Sequence, residues 1–95
     1  MSAYVIADIE VQDAAAYDTY RRGVEATVAK FGGRFLVRGG AVKAVEGAWC
    51  PKRLVVLEFP DMAALDAWYA SPDYKPLLDI RLGASTGRLI AAEGI

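Results

Sequence analysis

Two glycine pairs, Gly32-Gly33 and Gly39-Gly40, fence the five residues Arg34-Phe35-Leu36-Val37-Arg38. Glycine pairs favour turns, because glycine takes backbone conformations that a Cβ forbids. The segment between them is therefore a short strand. Strict alternation puts Phe35 and Val37 on one face of it and Arg38 on the other. A strand that is apolar on one side and cationic on the other implies a sheet with one buried face and one selective face.

The flanking segments supply the rest of such a sheet. Residues 4–11 alternate, with Val5, Ala7, Ile9 and Val11 on one side and Tyr4, Ile6, Asp8 and Glu10 on the other. Asp13 is a helix N-cap, and Tyr17, Tyr20, Val24, Thr27, Val28 and Phe31 follow at helical spacing until Gly32-Gly33 ends the run. Strand two is residues 34–38. A loop from Gly39 to about Lys52 follows, with room for a short strand near Val42 to Val45, and its length and Trp49 make it a candidate lid. Residues 53–59 form the third strand. Asp61 caps a second helix with Met62, Leu65, Trp68 and Tyr69 as its apolar stripe. Ser71-Pro72 reads as a further cap, Pro76 as a tight turn, and residues 77–85 as a third helix, before a last strand over 88–93.

Strand–helix–strand, taken twice, is the ferredoxin-like split βαβ order. The fold class is α+β: a single domain over residues 1–95 in the order βαββαβ, with a four-stranded antiparallel sheet and helices on one face. The helix-packed face is Val5, Ala7, Ile9, Phe35, Val37, Val55, Leu57, Phe59, Leu89 and Ala91. The other face carries Tyr4, Ile6, Asp8, Leu36, Arg38, Leu54, Val56, Glu58, Arg88, Ile90 and Ala92. Six of those eleven are aliphatic, too apolar for an open surface, and two such sheets packed face to face would cover them. Of the whole chain 55% is hydrophobic, which is generous for a domain that buries only ~60–65% of its unfolded surface. A homodimer is the expected partner arrangement.

Charge and composition exclude several functions. The 11 basic and 12 acidic residues are dispersed, so no basic patch awaits nucleic acid or an anionic membrane. No apolar run approaches the ~20 residues of a membrane span, and no signal peptide opens the chain, so a cytoplasmic protein is expected. Histidine is absent and Cys50 is the single cysteine. Ser-His-Asp and Cys-His nucleophiles, His-ligated haem and His-based metal sites are thereby excluded. No cofactor and no metal are expected.

The motifs Gly32-Gly33-Arg34-Phe35-Leu36-Val37-Arg38-Gly39-Gly40, Glu46-Gly47-Ala48-Trp49, Arg53-Leu54-Val55-Val56-Leu57-Glu58-Phe59-Pro60 and Trp68-Tyr69-Ala70-Ser71-Pro72-Asp73-Tyr74 span nearly the whole chain. In them the chain resembles domain-of-unknown-function family 1330, part of the dimeric α/β-barrel superfamily. The resemblance implies a ferredoxin-like fold paired into a homodimer. The wider superfamily includes cofactor-free monooxygenases, muconolactone isomerases and haem enzymes. The lack of histidine sets this chain apart from the haem enzymes.

Candidate site residues follow from the two faces. Arg38 and Glu58 are expected on neighbouring strands and one face. Either Arg38 binds a carboxylate or enolate oxygen while Glu58 or Asp8 moves a proton, or Arg38 and Glu58 form a structural ion pair at the dimer interface. Asp8 and Glu58, like charges on adjacent strands in a sheltered place, either raise one carboxyl pKa or are both neutralised by Arg38 and Arg88. Tyr17, Tyr20, Trp68, Tyr69 and Tyr74 either line an aromatic pocket between helices and sheet or simply fill the core. Trp49 either closes a pocket or packs on a second subunit. Two functions remain open: a cofactor-independent enzyme, monooxygenase- or isomerase-like, on a small aromatic or keto-acid metabolite, and a non-catalytic binding or stress-related module.

Overall fold

The computed structural model describes residues 1–95. Its elements are β1 (Ala3–Val11), α1 (Ala14–Lys30), β2 (Arg34–Arg38), β3 (Arg53–Phe59), α2 (Met62–Tyr69), α3 (Lys75–Ala84) and β4 (Ser85–Glu93). The strands make one sheet in the order β2-β3-β1-β4, with every neighbouring pair antiparallel. This is the ferredoxin-like α+β arrangement that the strand and helix patterns predict. No helix is long and apolar enough to cross a membrane.

Local chemistry sets the element boundaries. The Asp13 side chain accepts from the Ala16 N–H at 3.1 Å, and Asp61 accepts from Ala64 at 2.8 Å, so both acids cap helix N-termini. Gly32, at φ 79°, ends α1 in the left-handed region. Gly33 lets the chain pass close to the core: a Cβ there would stand 2.6 Å from the Phe59 ring. The Ser71 Oγ accepts from the Tyr74 N–H at 3.1 Å, so it holds a turn before α3 rather than the helix itself. Pro76 then falls in the first turn of α3, where its missing N–H has no intrahelical partner to lose. The helix thus begins two residues earlier than the turn reading of Pro76 predicts, and β4 follows it without a loop. No strand forms over Val42 to Val45.

The core lies between the sheet and the helices. Trp68 is at its centre, with its ring centroid 5.3 Å from Phe59 and 4.2 Å from Tyr74. The Trp68 indole N–H donates to Thr27 Oγ1 at 3.0 Å, which satisfies its polar edge inside the core. Truncating a fully packed tryptophan to alanine costs about 3–5 kcal/mol.

The sheet departs from the sequence pattern at one residue. Arg34 stands opposite Glu58 and Phe35 opposite Leu57, but Val37 stands opposite Val56 and Arg38 opposite Val55. Leu36 is therefore an extra residue, a β-bulge, and every side chain after it changes face. Val37 moves from the expected core face to the open face. Arg38 moves from the open face to the helix-packed face, where its guanidinium carbon lies 4.2 Å from the Phe35 ring centroid. Beyond the bulge the open face carries an apolar row across all four strands: Val37, Val56, Ile6 and Ile90.

Candidate functional site

A cavity opens between the sheet and helices α1 and α3. Strand residues Val5, Ala7, Phe35, Val55, Leu57 and Leu89 form much of its apolar wall, and Tyr17, Tyr20 and Val24 line it from α1. Trp68, Tyr74 and Arg81 close the buried end, while the more exposed Arg21, Arg38 and Arg53 stand at the mouth. The enclosed space is about 30 Å³, room for about two waters at ~10–15 Å³ each. No aspartate, glutamate or histidine lines it.

Helical spacing builds the inner end. Tyr17, Tyr20, Val24 and Val28 share the buried face of α1, and Leu78, Arg81 and Ala84 share that of α3. The Tyr20 and Tyr74 hydroxyls meet at 3.0 Å. Burial, and after it the neighbouring Tyr74 hydroxyl, pushes the Tyr20 pKa far above the ordinary tyrosine range. Tyr20 therefore stays protonated and is not a base. Arg81 is only 7% exposed, and its Nε has no hydrogen-bond partner. Burial opposes its charge, but the Tyr74 and Tyr20 hydroxyls outweigh that effect and its pKa is raised.

The mouth is held differently. Arg38 donates to the Arg21 carbonyl at 2.5 Å and faces Glu25 at 3.5 Å. Arg21 pairs with Asp18 at 2.9 Å. Arg53 Nε donates to the Tyr17 hydroxyl at 3.2 Å, and its guanidinium carbon lies 5.2 Å from that ring's centroid. Gly39 makes room for Arg53: its φ is 72°, and a Cβ there would run into the guanidinium. Neither Arg53 nor Arg81 has an ion-pair partner.

Of the residues singled out in the sequence, Arg38, Tyr20, Trp68 and Tyr74 come together in this cavity. Asp8, Glu58 and Trp49 lie elsewhere, on the open face. Glu58 does not pair with Arg38. Arg34 Nε donates to it at 2.8 Å and the Tyr4 hydroxyl at 3.2 Å, because the Leu36 bulge leaves Arg34, not Arg38, on its face. The Arg34 hydrogen bond, and then one from Ser2, lower the Glu58 pKa, so of the two alternatives neutralisation holds for Glu58, by Arg34 rather than Arg38 or Arg88. Asp8 Oδ2 accepts from the Trp49 indole N–H at 2.9 Å and from Arg88 at 3.3 Å. Trp49 is 58% exposed and lies over Ile6 and Ile90, outside the cavity. No group of three or more histidine, cysteine, aspartate or glutamate side chains is placed to hold a metal ion.

The sequence reading passed over Arg53, Arg81 and Arg21 as site residues. Each carried a signal. Arg53 shares the β3 face of Val55 and Leu57, Arg21 follows Tyr17 by one helical turn, and Arg81 interrupts the stripe of Leu78 and Ala84.

The sheet order and the helices on one face define a ferredoxin-like α+β protein. The chain belongs to the family described as Domain of unknown function (DUF1330), whose model matches residues 2–95. No curated protein matches its sequence. Among solved structures, it is similar to a protein of unknown function from Rhodopseudomonas palustris, with a TM-score of 0.81 at 19% identity over 99% of this chain and 82% of that one. A dimeric ferredoxin-like protein of unknown function from Jannaschia sp. CCS1 gives a TM-score of 0.71 at 16% identity over 99% and 100% of the two chains. SnoaB, a cofactor-independent oxygenase from Streptomyces nogalater, gives 0.65 at 15% identity over 99% and 93%. These likenesses establish the fold.

Proposed function

We propose that this protein works as a homodimer and takes a small aromatic or keto-acid metabolite into the cavity between sheet and helices, acting on it without a bound metal or flavin. The carrying observation is an apolar cavity with hydroxyl and guanidinium donors gathered at its buried end, Tyr20 and Tyr74 beside Arg81. A few convergent polar groups in an apolar cleft are the usual composition of a ligand site. The fold shared with a cofactor-independent oxygenase supports the same reading by analogy. Hydrogen-bond donation to a bound oxygen suits the site better than carboxylate base chemistry. Tyr20 keeps its proton, and both Asp8 and Glu58 face away.

A non-catalytic binding module is the second reading. The absence of any carboxylate or histidine from the cavity lining favours it, since a positioned base is the commonest need of enolisation or oxygenation. Dimerisation rests on the open face, where Leu36 and Ile90 are 45% and 61% exposed beside Val37, Val56 and Ile6. Native mass spectrometry of the purified protein tests both points. The expected result is a dimer carrying a retained small molecule. A monomer that retains nothing, and that neither binds nor turns over phenylpyruvate, would refute the proposal.

A further inference from the structure

We infer that the ligand of this cavity is an organic anion, whose carboxylate or enolate oxygen seats on the Arg81 Nε–H beside the Tyr20 and Tyr74 hydroxyls. This rests on the cavity being the ligand site. Arg81 lies on the buried stripe of α3, has no carboxylate partner, and leaves its Nε–H unbonded. A buried guanidinium with no countercharge and an unbonded Nε–H is disfavoured unless something else supplies them. The side chains around it supply no countercharge, because no acidic residue lines the cavity.

The tyrosine pair adds a second donor. The hydroxyls are 3.0 Å apart, and one proton is used between them. The other has no acceptor among the protein's own groups and is free to serve a ligand. The Tyr20 hydroxyl stays protonated, because burial and the Tyr74 neighbour raise its pKa. Charge at the mouth has the same sign: Arg53 is bonded only to the neutral Tyr17 hydroxyl. An anion approaching the cavity therefore meets favourable potential from mouth to floor, and a cation meets the reverse. The whole enclosed space, about 30 Å³, is the size of a carboxylate group, so the body of the ligand extends out past Arg53 at the mouth.

The test compares benzoate and phenylpyruvate with neutral benzamide on the full wild-type chain, following the arginine Nε–H resonances by NMR and the thermal midpoint. Both acids are expected to bind at least about tenfold more tightly than the amide, as loss of a charge-assisted hydrogen bond implies. They should also shift the Arg81 Nε–H signal, identified by its loss in Arg81→Lys. If that variant does not fold, the wild-type comparison of acid with amide still decides. Equal binding of benzamide and benzoate would overturn the anion inference while leaving the cavity as the ligand site. If neither acid nor amide perturbs any cavity residue, the cavity reading fails and takes the inference with it.

Discussion

The Tyr20 hydroxyl from α1 and the Tyr74 hydroxyl from the turn before α3 meet at 3.0 Å in the core. They tie the first helix to the last across the floor of the cavity. Replacing either one by phenylalanine strands the partner's hydroxyl away from water. Tyr20→Phe and Tyr74→Phe should each cost about 1–3 kcal/mol, the cost of a buried unsatisfied polar group. The double replacement should lose less than the sum of the two. Denaturant unfolding of the four proteins measures this, and strictly additive losses would show that the contact contributes nothing.

The same pair sets an alkaline limit. The pKa of Tyr20 is raised by folding, so the folded state favours the neutral phenol. That contribution is fully present below the ordinary tyrosine value of 10.0. It is lost as the pH climbs above that value toward the higher folded pKa, because the unfolded chain releases its proton first. The thermal midpoint of the wild type should fall on raising the pH above about 10. In Tyr20→Phe that fall should be shallower. Parallel pH profiles for the two proteins would disprove the link to Tyr20.

Val56 sits in the middle of the apolar row on the open face, between Val37 and Ile6. Val56→Asp places a charge where a second sheet would pack, at a cost of several kcal/mol if the face is covered. Light scattering should show the wild type as a dimer at micromolar concentration and the variant as a monomer or unfolded chain. A wild type that stays monomeric there refutes dimerisation through this face.

Arg38 and Glu58 should be energetically independent, since the bulge sends them to opposite faces. A double-mutant cycle on Arg38→Ala and Glu58→Ala should give no coupling. The cycle on Arg34→Ala and Glu58→Ala should give a small one that salt removes, because Arg34 is mostly exposed. Measurable coupling between Arg38 and Glu58 would contradict the register.

Gly39→Ala should destabilise the chain by about 1–3 kcal/mol, the range for a non-glycine residue in the left-handed region. It should also displace Arg53 from Tyr17, because the new methyl group meets the guanidinium. Tyr17 resonances in an NMR spectrum report that displacement, and an unshifted Tyr17 would show that Arg53 is held by something else.

The strand and helix framework was legible because it rests on periodicity and punctuation. Val5-Ala7-Ile9 and Val55-Leu57-Phe59 alternate without interruption, and Asp13, Asp61 and Gly32 carry boundary chemistry in their own side chains or the lack of them. The position of Arg38 was not legible, because a bulge adds a residue without changing the local pattern, and alternation alone reads straight through Leu36. The carboxylates misled for a related reason. Asp8 and Glu58 sit on the open face as the alternation of β1 and β3 says, but the cavity lies on the other. Arg81 was hidden by its type: an arginine in a helix reads as solvated until its neighbours Leu78 and Ala84 show which side it faces.

The Leu36 bulge has a consequence for how such a protein changes over generations. Deleting that one residue would leave plain alternation with Val37 still opposite Val56 and Arg38 still opposite Val55, so the loss would be silent to the cavity. Pairing Leu36 regularly with Val56 would instead bring Val37 in beneath the helices and turn Arg38 outward, so the cavity would lose a cation with every amino acid unchanged. Strand register, rather than substitution, thus sets the electrostatic character of this cavity.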